Sequence, residues 1–186
     1  MADRVLFRFM TVTDYEEEEK FLSEQHKEGW KLCKYWLPGI YFFDKCVPED
    51  VVYRLDFEQA EKSEKTEYLQ LYNDYGWEYL FDVNGFSYFR KRAGSEEREL
   101  EIFSDNESRI EMVERVFKRR MIPLLMVFFS CVMPQLVIQF LNWNERGDPF
   151  AKGFVIFFTI LFGLYLYLFI HCGRKIRWLK RKYMKE

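Results

Sequence analysis

The sequence predicts an α+β soluble domain built from a tandem strand-helix-strand-strand repeat, followed by a two-helix transmembrane hairpin. Two observations carry this prediction. A Gly-Trp pair at positions 29–30 recurs at 76–77, each time between a helix-like and a strand-like segment. Residues 121–141 and 153–172 contain no charged residue, and each stretch is long enough to cross a hydrocarbon core of about 30 Å as a helix.

The first repeat unit begins with VLFRFM (residues 5–10), which has the composition of a β-strand. A helix is predicted to follow, because Thr13 and Glu16 have the spacing of a capping box. Gly29 is predicted to end this helix, since glycine tolerates the left-handed backbone found at helix C-termini. Residues 30–46 then read as two strands joined by a Leu-Pro-Gly turn.

The second unit repeats this order. VVYRLDF (residues 51–57) predicts a strand, and a helix is predicted from about Ser63 to Tyr75, ended by Gly76. Residues three and four positions apart form the face of this helix that is predicted to pack, namely Tyr68, Leu69, Tyr72 and Tyr75. Two further strands are predicted on either side of Asn84-Gly85, because Asn-Gly is the strongest short signal for a hairpin.

An offset of 47 residues aligns the two units at positions with distinct structural roles. It pairs Leu22 with Leu69, Gly29 with Gly76, Trp30 with Trp77, Tyr41 with Tyr88 and Phe42 with Phe89. These positions correspond to the helix face, the helix stop, the strand entry and the returning strand. We therefore interpret the pattern as a duplication whose two units form one sheet with helices packed against it.

A charged linker joins this domain to the apolar half, and Ser104 with Glu107 predicts a helix that begins near Asp105. The predicted organisation is a duplicated α+β cytoplasmic domain (1–95), a linker and juxtamembrane helix (96–120), transmembrane helix 1 (121–141), a short extracytoplasmic loop (142–152), transmembrane helix 2 (153–173) and a basic cytoplasmic tail (174–186).

Flanking cations predict the orientation of the two spans. Lys and Arg residues near span ends stay on the cytoplasmic side of a membrane. Nine such residues precede the first span or follow the second, whereas the connecting loop holds only Arg146 and Lys152. We therefore expect a multi-pass protein of the cell membrane with both termini in the cytoplasm. Gln135 and Gln139, four residues apart, could bond to the second span or to another copy in a homo-oligomer, or Gln139 could lie near the interface.

The composition disfavours several classes of function. Residues 1–100 carry 14 basic and 22 acidic residues, a net charge of −8, which argues against direct nucleic-acid binding. No metal-ligand spacing or phosphate-binding glycine loop is present, so no metal, cofactor or catalytic residue is predicted. His26 lies among polar neighbours and is predicted to be a solvated surface residue. The four cysteines are expected to be reduced thiols.

Several stretches also resemble a known family. FRF (7–9), YRLDF (53–57), the second Gly-Trp pair and FSDNES (103–108), followed by two spans, resemble the bacterial family that carries the domain of unknown function numbered 2812. The resemblance implies a two-part membrane protein without an established activity, often encoded near PadR-type transcription regulators. The tandem order is also similar in topology to gyrase-inhibitor-like effector domains, which clasp small molecules between two units.

The density of aromatic residues in the first half suggests binding. A core filled by large rings would explain most of them, and a ligand cleft or a partner surface is the functional alternative. Asp56 could form an ion pair with Arg54 or serve as a polar anchor in a pocket. The candidate ligand-binding residues are Trp30, Tyr41, Tyr53, Asp56, Trp77 and Tyr88.

These observations predict a membrane-tethered cytoplasmic sensor or regulatory module that binds a small apolar ligand or a protein. Two alternatives remain open. The chain could sequester a PadR-type transcription regulator at the membrane, or it could be an accessory subunit that works through its spans.

Overall fold

The computed structural model describes residues 2–57, 65–94, 102, 106–141 and 149–184. The chain divides into two compact units, Met1–Met112 and Val113–Lys185. The first unit contains all the strands described below, and the second contains the long apolar helices.

Between residues 2 and 94, the described part of the first unit has six strands and two helices in the predicted order. They are β1 (Arg4–Phe7), α1 (Tyr15–Lys27), β2 (Trp30–Trp36), β3 (Ile40–Lys45), β4 (Val51–Asp56), α2 (Lys65–Asp74), β5 (Glu78–Val83) and β6 (Phe86–Arg92). The order strand-helix-strand-strand therefore occurs twice.

These strands form two separate antiparallel sheets of three strands each, with the orders β1-β3-β2 and β4-β6-β5. The single sheet expected from the repeat is therefore replaced by two sheets of the same strand order. Each sheet has a register shift in the strand that follows its helix. The shift lies between Leu32 and Lys34 in β2 and between Tyr79 and Phe81 in β5. The β5–β6 turn has φ angles of 54° at Asn84 and 85° at Gly85, as the predicted Asn-Gly hairpin requires.

Both helix stops predicted from glycine are confirmed. Gly29 and Gly76 have φ angles of 87° and 80°, in the left-handed region that glycine adopts without strain. Each glycine N–H donates to the carbonyl three residues earlier, His26 and Asn73 respectively, at 2.9 Å. The two helices therefore end by the same local geometry before the chain enters the next strand.

The predicted capping box at Thr13 and Glu16 is wrong. The N-cap of α1 is Asp14, and no side-chain hydrogen bond caps the helix. The Asp14 carboxylate instead accepts hydrogen bonds from the Thr11 N–H (2.9 Å) and the Thr11 hydroxyl (2.6 Å). The Thr13 side chain is buried, and its hydroxyl lies 2.9 Å from that of Thr11. The Thr13 hydroxyl, which the capping box required, is thus hydrogen-bonded to Thr11 in the preceding turn.

The second helix fits its prediction in part. Ser63, where it was expected to begin, lies outside the described residues. Tyr68 and Tyr72 pack on the ring of Phe89, with centroid distances of 6.0 and 4.5 Å. Tyr75 is 68% exposed, because α2 ends at Asp74 and the last predicted position of its apolar face lies beyond the helix.

The core of the first unit lies between α1 and the inward-facing residues of both sheets. Its completely buried aromatic side chains include Tyr41 and Phe43 from the first sheet and Tyr53 from the second, while Phe89 is buried on the other face of its sheet, under α2. Leu22 of α1 is also completely buried. Rings of Phe21 and Tyr41 meet edge to face at 5.4 Å, an arrangement that aromatic pairs favour.

The second unit is an antiparallel pair of long helical segments. One comprises the last turn of α3 (Asn106–Val116), from Val113 onward, with α4 (Ile122–Val127) and α5 (Met133–Leu141), linked by π-helical turns at Phe117–Met121 and Phe128–Val132. The other is α6 (Pro149–Tyr183), which continues through most of the predicted basic tail. Ser104 and the loop at 142–148 lie outside the described residues.

Two contacts set the register of this pair. The Phe128 ring packs between Phe162, Tyr165 and Phe169 of α6 at centroid distances of 5.5 Å. Lys180 Nζ lies 2.7 Å from Glu114 Oε1. An early residue of the first segment thus pairs with a late residue of the second, as an antiparallel arrangement requires. Glu107–Ile138 and Lys152–Tyr183 are each long and apolar enough to cross a membrane.

Alanine substitutions at the two helix stops are expected to differ in effect. Both place a Cβ on a left-handed backbone, which costs about 1–2 kcal/mol. At Gly29 that Cβ would also lie 3.1 Å from the Cys46 carbonyl oxygen, whereas at Gly76 the nearest atom is the flexible Lys91 Cε at 3.6 Å. We expect Gly29→Ala to lower the free energy of unfolding by about 1 kcal/mol more than Gly76→Ala.

Chemical denaturation of the full chain in detergent, followed by hydrogen exchange of the strand amides, measures both losses. Equal losses of unfolding free energy in the two variants would show that the contact with the Cys46 carbonyl does not affect stability.

Candidate functional site

A buried carboxyl group on α1 joins the two sheets. Glu18 Oε1 accepts hydrogen bonds from the Tyr41 hydroxyl (2.9 Å) and the Tyr88 hydroxyl (2.7 Å). Tyr41 lies on β3 and Tyr88 on β6, the middle strands of the first and second sheets. All three side chains are buried. These tyrosines are the pair that the 47-residue offset aligned, so equivalent positions of the two sheets converge on one oxygen atom.

Burial governs the protonation of this cluster. It raises the pKa of Glu18 above its usual value, although the two tyrosine hydrogen bonds partly oppose the shift. Burial, together with the nearby Glu18 charge, raises the pKa of Tyr35 to about 12 and that of Tyr88 well above its ordinary value. The tyrosines therefore remain hydrogen-bond donors throughout the physiological range.

The same helix covers the free edge of the second sheet. Glu19 Oε1 accepts a hydrogen bond from the Leu55 N–H (2.8 Å), and Ser23 Oγ accepts one from the Tyr53 N–H (3.2 Å). These two amides belong to β4, the edge strand of the sheet. Glu19 Oε2 also lies 3.4 Å from the Arg54 guanidinium. Polar side chains of α1 thus satisfy edge amides that would otherwise be buried without a partner.

His26 is buried, so its prediction as a solvated residue is wrong. Its Nδ1 lies 2.8 Å from the Tyr53 hydroxyl, which also accepts a hydrogen bond from the Leu32 N–H at 3.3 Å. Burial lowers the pKa of His26, and the neighbouring Arg90 charge lowers it further. The neutral imidazole therefore links α1 to β4. The polar residues around His26 in the sequence gave no sign of this position.

A cavity of about 460 Å³ opens where the two halves of the first unit meet. His26 of α1 and Lys31 of β2 line it from the first half, and Glu78 of β5 and Arg90 of β6 from the second. The remaining lining residues are Cys46, Val47, Glu49, Val51, Gly76, Lys91 and Arg92. Among the described residues, no Phe, Tyr or Trp lines this cavity. Charged or imidazole side chains belong to seven of its eleven lining residues.

The cavity lining has an excess of positive charge. Four cationic side chains (Lys31, Arg90, Lys91 and Arg92) face two carboxylates (Glu49 and Glu78), while the His26 imidazole is neutral. This excess of two positive charges contrasts with the net charge of −8 over residues 1–100. Such a local reversal of charge favours an anionic ligand.

Salt bridges hold two of these cations in place. Arg90 donates to both oxygens of Glu78 at 2.6 and 2.7 Å, and this bidentate hydrogen bonding lowers the pKa of Glu78. Arg92 lies 3.0 Å from Glu49. Lys91 donates to the Tyr75 carbonyl at 2.9 Å.

Lys31 differs from these residues, because it has no salt bridge within 4 Å in the part of the chain that the structure describes. Its ammonium group can therefore bind a ligand without first leaving a carboxylate.

The structure distributes the six predicted ligand-binding residues over several places. Tyr41 and Tyr88 meet on Glu18, and Tyr53 bonds to His26. Trp77 is buried beneath the Lys91 ammonium, which lies 5.8 Å from its ring centroid. Trp30 is partly exposed under the Arg4 guanidinium at 5.2 Å. None of these five rings lines the cavity.

Asp56, the sixth residue, is buried beneath α2. Its Oδ2 accepts hydrogen bonds from the Tyr68 hydroxyl (2.8 Å) and the Tyr72 hydroxyl (3.3 Å). Burial and the nearby Asp56 charge raise the pKa of Tyr68. Arg54, the ion-pair partner considered from the sequence, lies beside Glu19. Asp56 thus anchors α2 to the second sheet, which is a structural task.

Several residues of this region were not identified from the sequence. Glu18 and Glu19 belong to a run of four glutamates at residues 16–19. Lys31 and Arg90 were single basic residues in strand patterns. The spacing of Glu18, Leu22 and Gln25 on one helix face was the available signal for burial. Among the described residues, no group of three His, Cys, Asp or Glu side chains could hold a metal ion.

The Glu18 cluster makes a prediction about stability. Glu18→Ala removes the acceptor of two buried hydroxyls and should lower the free energy of unfolding by about 2–4 kcal/mol. Glu18→Gln keeps an oxygen acceptor. Because the pKa of Glu18 is raised in the folded protein, its stabilising contribution is greatest below the unfolded pKa and is lost as pH rises through the folded value. Glu18→Gln cannot ionise, so its stability relative to the wild type should increase from acidic to neutral pH.

Denaturation of the full chain in detergent at several pH values tests both expectations. A constant difference between wild type and Glu18→Gln would contradict the raised pKa. A loss below 1 kcal/mol in Glu18→Ala would show that the tyrosines find other partners.

Comparison with known proteins identifies the family of the chain. No curated protein and no solved structure matches the chain. A family model described as a protein of unknown function (DUF2812) matches residues 14–126, from the N-cap of α1 into α4. This match covers more than half of the 186 residues and includes the Glu18 cluster, His26 and the cavity. The chain therefore belongs to the DUF2812 family.

Proposed function

We propose that this protein is a membrane-tethered cytoplasmic regulatory module that binds a small anionic molecule in the cavity between its two halves. The single observation that carries the proposal is the positive lining of that cavity within an otherwise acidic domain. The sequence had favoured a small apolar ligand or a protein partner because of its aromatic residues. Four of the six residues then considered are buried rings, which suits a role in the core.

The membrane tether rests on the helices of the second unit. Two helices have the length and composition to cross a bilayer. Many of their apolar side chains are exposed, among them Phe129, Phe140 and Ile160 at 62%, 78% and 67%. A two-helix unit cannot shield such side chains from water, whereas a bilayer would accommodate them. The flanking cations favour an orientation with both chain ends in the cytoplasm.

The cavity would arise from a duplication. The two sheets share one strand order, and their register shifts lie at positions 47 residues apart. Tyr41 and Tyr88, also 47 residues apart, share Glu18. A duplicated pair of units creates a junction lined by both copies. Ligand binding at this junction would be coupled to the relative position of the two sheets.

Binding fits the cavity better than catalysis does. Arginine remains protonated at neutral pH and is suited to holding carboxylate or phosphate groups. The His26 nitrogen Nδ1 is directed to Tyr53. A carboxylate or phosphate ligand would supply the negative charge that the lining lacks, with Lys31 as its principal partner and Arg90 held in position by Glu78.

Ligand titrations with matched lysine variants test this proposal. Inorganic phosphate and succinate are titrated into the full chain in detergent micelles by calorimetry, with glycerol as a neutral control. We expect saturable binding of at least one anion, and a loss of affinity of about tenfold in Lys31→Gln. Lys34→Gln removes the same charge from the same strand outside the cavity and should change affinity by less than about twofold.

The phosphate and succinate arms distinguish the two chemistries. If neither anion binds, or if the two lysine variants lose affinity equally, the cavity is not an anion site.

The proposed topology predicts where the chain is accessible in cells. In a variant whose four cysteines are replaced by serine, a membrane-impermeant maleimide should label Gly147→Cys in intact cells. Ala2→Cys should be labelled only after lysis, because the N-terminus is expected in the cytoplasm. Labelling of Ala2→Cys in intact cells would reverse the orientation, and extraction of the protein by alkaline carbonate would contradict membrane insertion.

A further inference from the structure

The C-terminal end of α6 has two sides of different character. The helix continues beyond its apolar stretch as far as Tyr183. Its packed side consists of four buried residues spaced three and four positions apart, Cys172, Ile176, Leu179 and Tyr183. Lys180, beside this row, reaches Glu114 of α3 with a distance of 2.7 Å between Nζ and Oε1. The end of α6 is therefore an ordered helix with one side packed within the second unit.

The opposite side of these turns is exposed and cationic. It carries three arginines and a tryptophan at the spacing of one helical face, Arg174, Arg177, Trp178 and Arg181. We call this set the arginine face. The ammonium groups of Lys175 and Lys182 lie beside it, 5.0 and 5.6 Å from the Trp178 ring centroid. The sequence contains no Asp or Glu between residues 173 and 185, so this side of the helix is strongly positive.

The arginine face begins where the apolar stretch of α6 ends. Residues 153–172 contain no charged residue, and Arg174 follows almost at once. Because a helix rises about 1.5 Å per residue, Arg177 and Trp178 lie about 6–8 Å beyond Gly173 along the axis. This distance is close to the thickness of the headgroup layer on one side of a bilayer, where tryptophan is enriched. If the apolar stretch spans the membrane, the arginine face therefore lies among the lipid headgroups.

The side chains of the arginine face also lean back towards the apolar part of α6. In an α-helix each Cα–Cβ bond tilts towards the N-terminus, and the apolar part of α6 precedes the arginine face. Arg177 Nε donates to the Gly173 carbonyl at 3.1 Å, which holds this guanidinium towards the end of the apolar stretch. Arginine forms paired hydrogen bonds with phosphate oxygens. A phosphate at the membrane surface would therefore meet guanidinium groups that already point towards it.

We infer that the arginine face binds the headgroups of anionic phospholipids. Clusters of about four to eight Lys and Arg residues directly beyond a span are attracted to anionic lipid, and α6 presents such a cluster on one ordered face. This inference rests on the proposed membrane tether, which places the face beside one leaflet. A soluble acidic partner would require neither a tryptophan at headgroup depth nor side chains that lean towards the span.

Spin-labelled lipids test this inference in the full chain, reconstituted in phosphatidylcholine vesicles. Electron spin resonance distinguishes the lipids that the protein immobilises from those in the free bilayer. We expect spin-labelled phosphatidylglycerol to associate with the protein about threefold more strongly than spin-labelled phosphatidylcholine. A high salt concentration should weaken this preference, because it screens exposed charges.

Two double variants locate the source of the preference. Arg177→Gln combined with Arg181→Gln should lower the preference for phosphatidylglycerol below about 1.5-fold. Lys20→Gln combined with Lys27→Gln removes the same charge from α1 and should leave the preference unchanged. Labelling of Gly147→Cys in intact cells checks that the arginine variant keeps its orientation, since it retains the other cations that flank the spans.

The same spectra separate this inference from the proposed tether. Immobilised phosphatidylcholine shows that the chain is inserted in the bilayer, so its absence would contradict the tether and the inference together. Equal association of the two lipids with an inserted chain would overturn the inference alone and leave the arginine face to a soluble acidic partner. An equal loss of preference in both double variants would show that net charge attracts the lipid, and would overturn the inference as well.

Discussion

The buried Glu18 carboxyl, shared by two tyrosine hydroxyls, is the interaction on which the architecture of the first unit depends. The two three-stranded sheets do not pair with each other into one sheet. What joins their middle strands is α1, through Glu18 to Tyr41 and Tyr88. Glu19, Ser23 and His26 extend this junction along β4. Burying an isolated carboxyl group costs free energy, and here hydrogen bonds from two neutral tyrosine hydroxyls offset that cost.

The same helix also reaches the cavity. His26, in the last turn of α1, lines it together with Lys31 and Arg90. The two sheets differ in their outer layers as well, since α2 covers Phe89 while Phe42 lies on an uncovered face. Two units with the same strand order therefore differ in which faces of their sheets are covered.

Local signals predicted much of the fold. Gly29, Gly76 and the Asn84-Gly85 turn were correctly placed, because their backbone conformations depend on a few neighbouring residues. The capping box failed because Thr13 is held by Thr11, a contact that spacing alone does not reveal. For the site, sequence reasoning chose large rings, which are buried mainly as core. It passed over Lys31 and Arg90, since isolated basic residues in strands have no distinctive pattern.

The sequence by itself determined the order of the strands and helices, the two apolar helices and the repeated helix stops, because these follow from short-range periodicity and backbone preference. Only the tertiary structure decided that the repeat forms two sheets, that Glu18 and His26 are buried and that the cavity is positively charged. Each of these depends on residues from both halves meeting in space. Glu18 and Tyr88 are 70 positions apart in the chain, and only folding brings them within 2.7 Å.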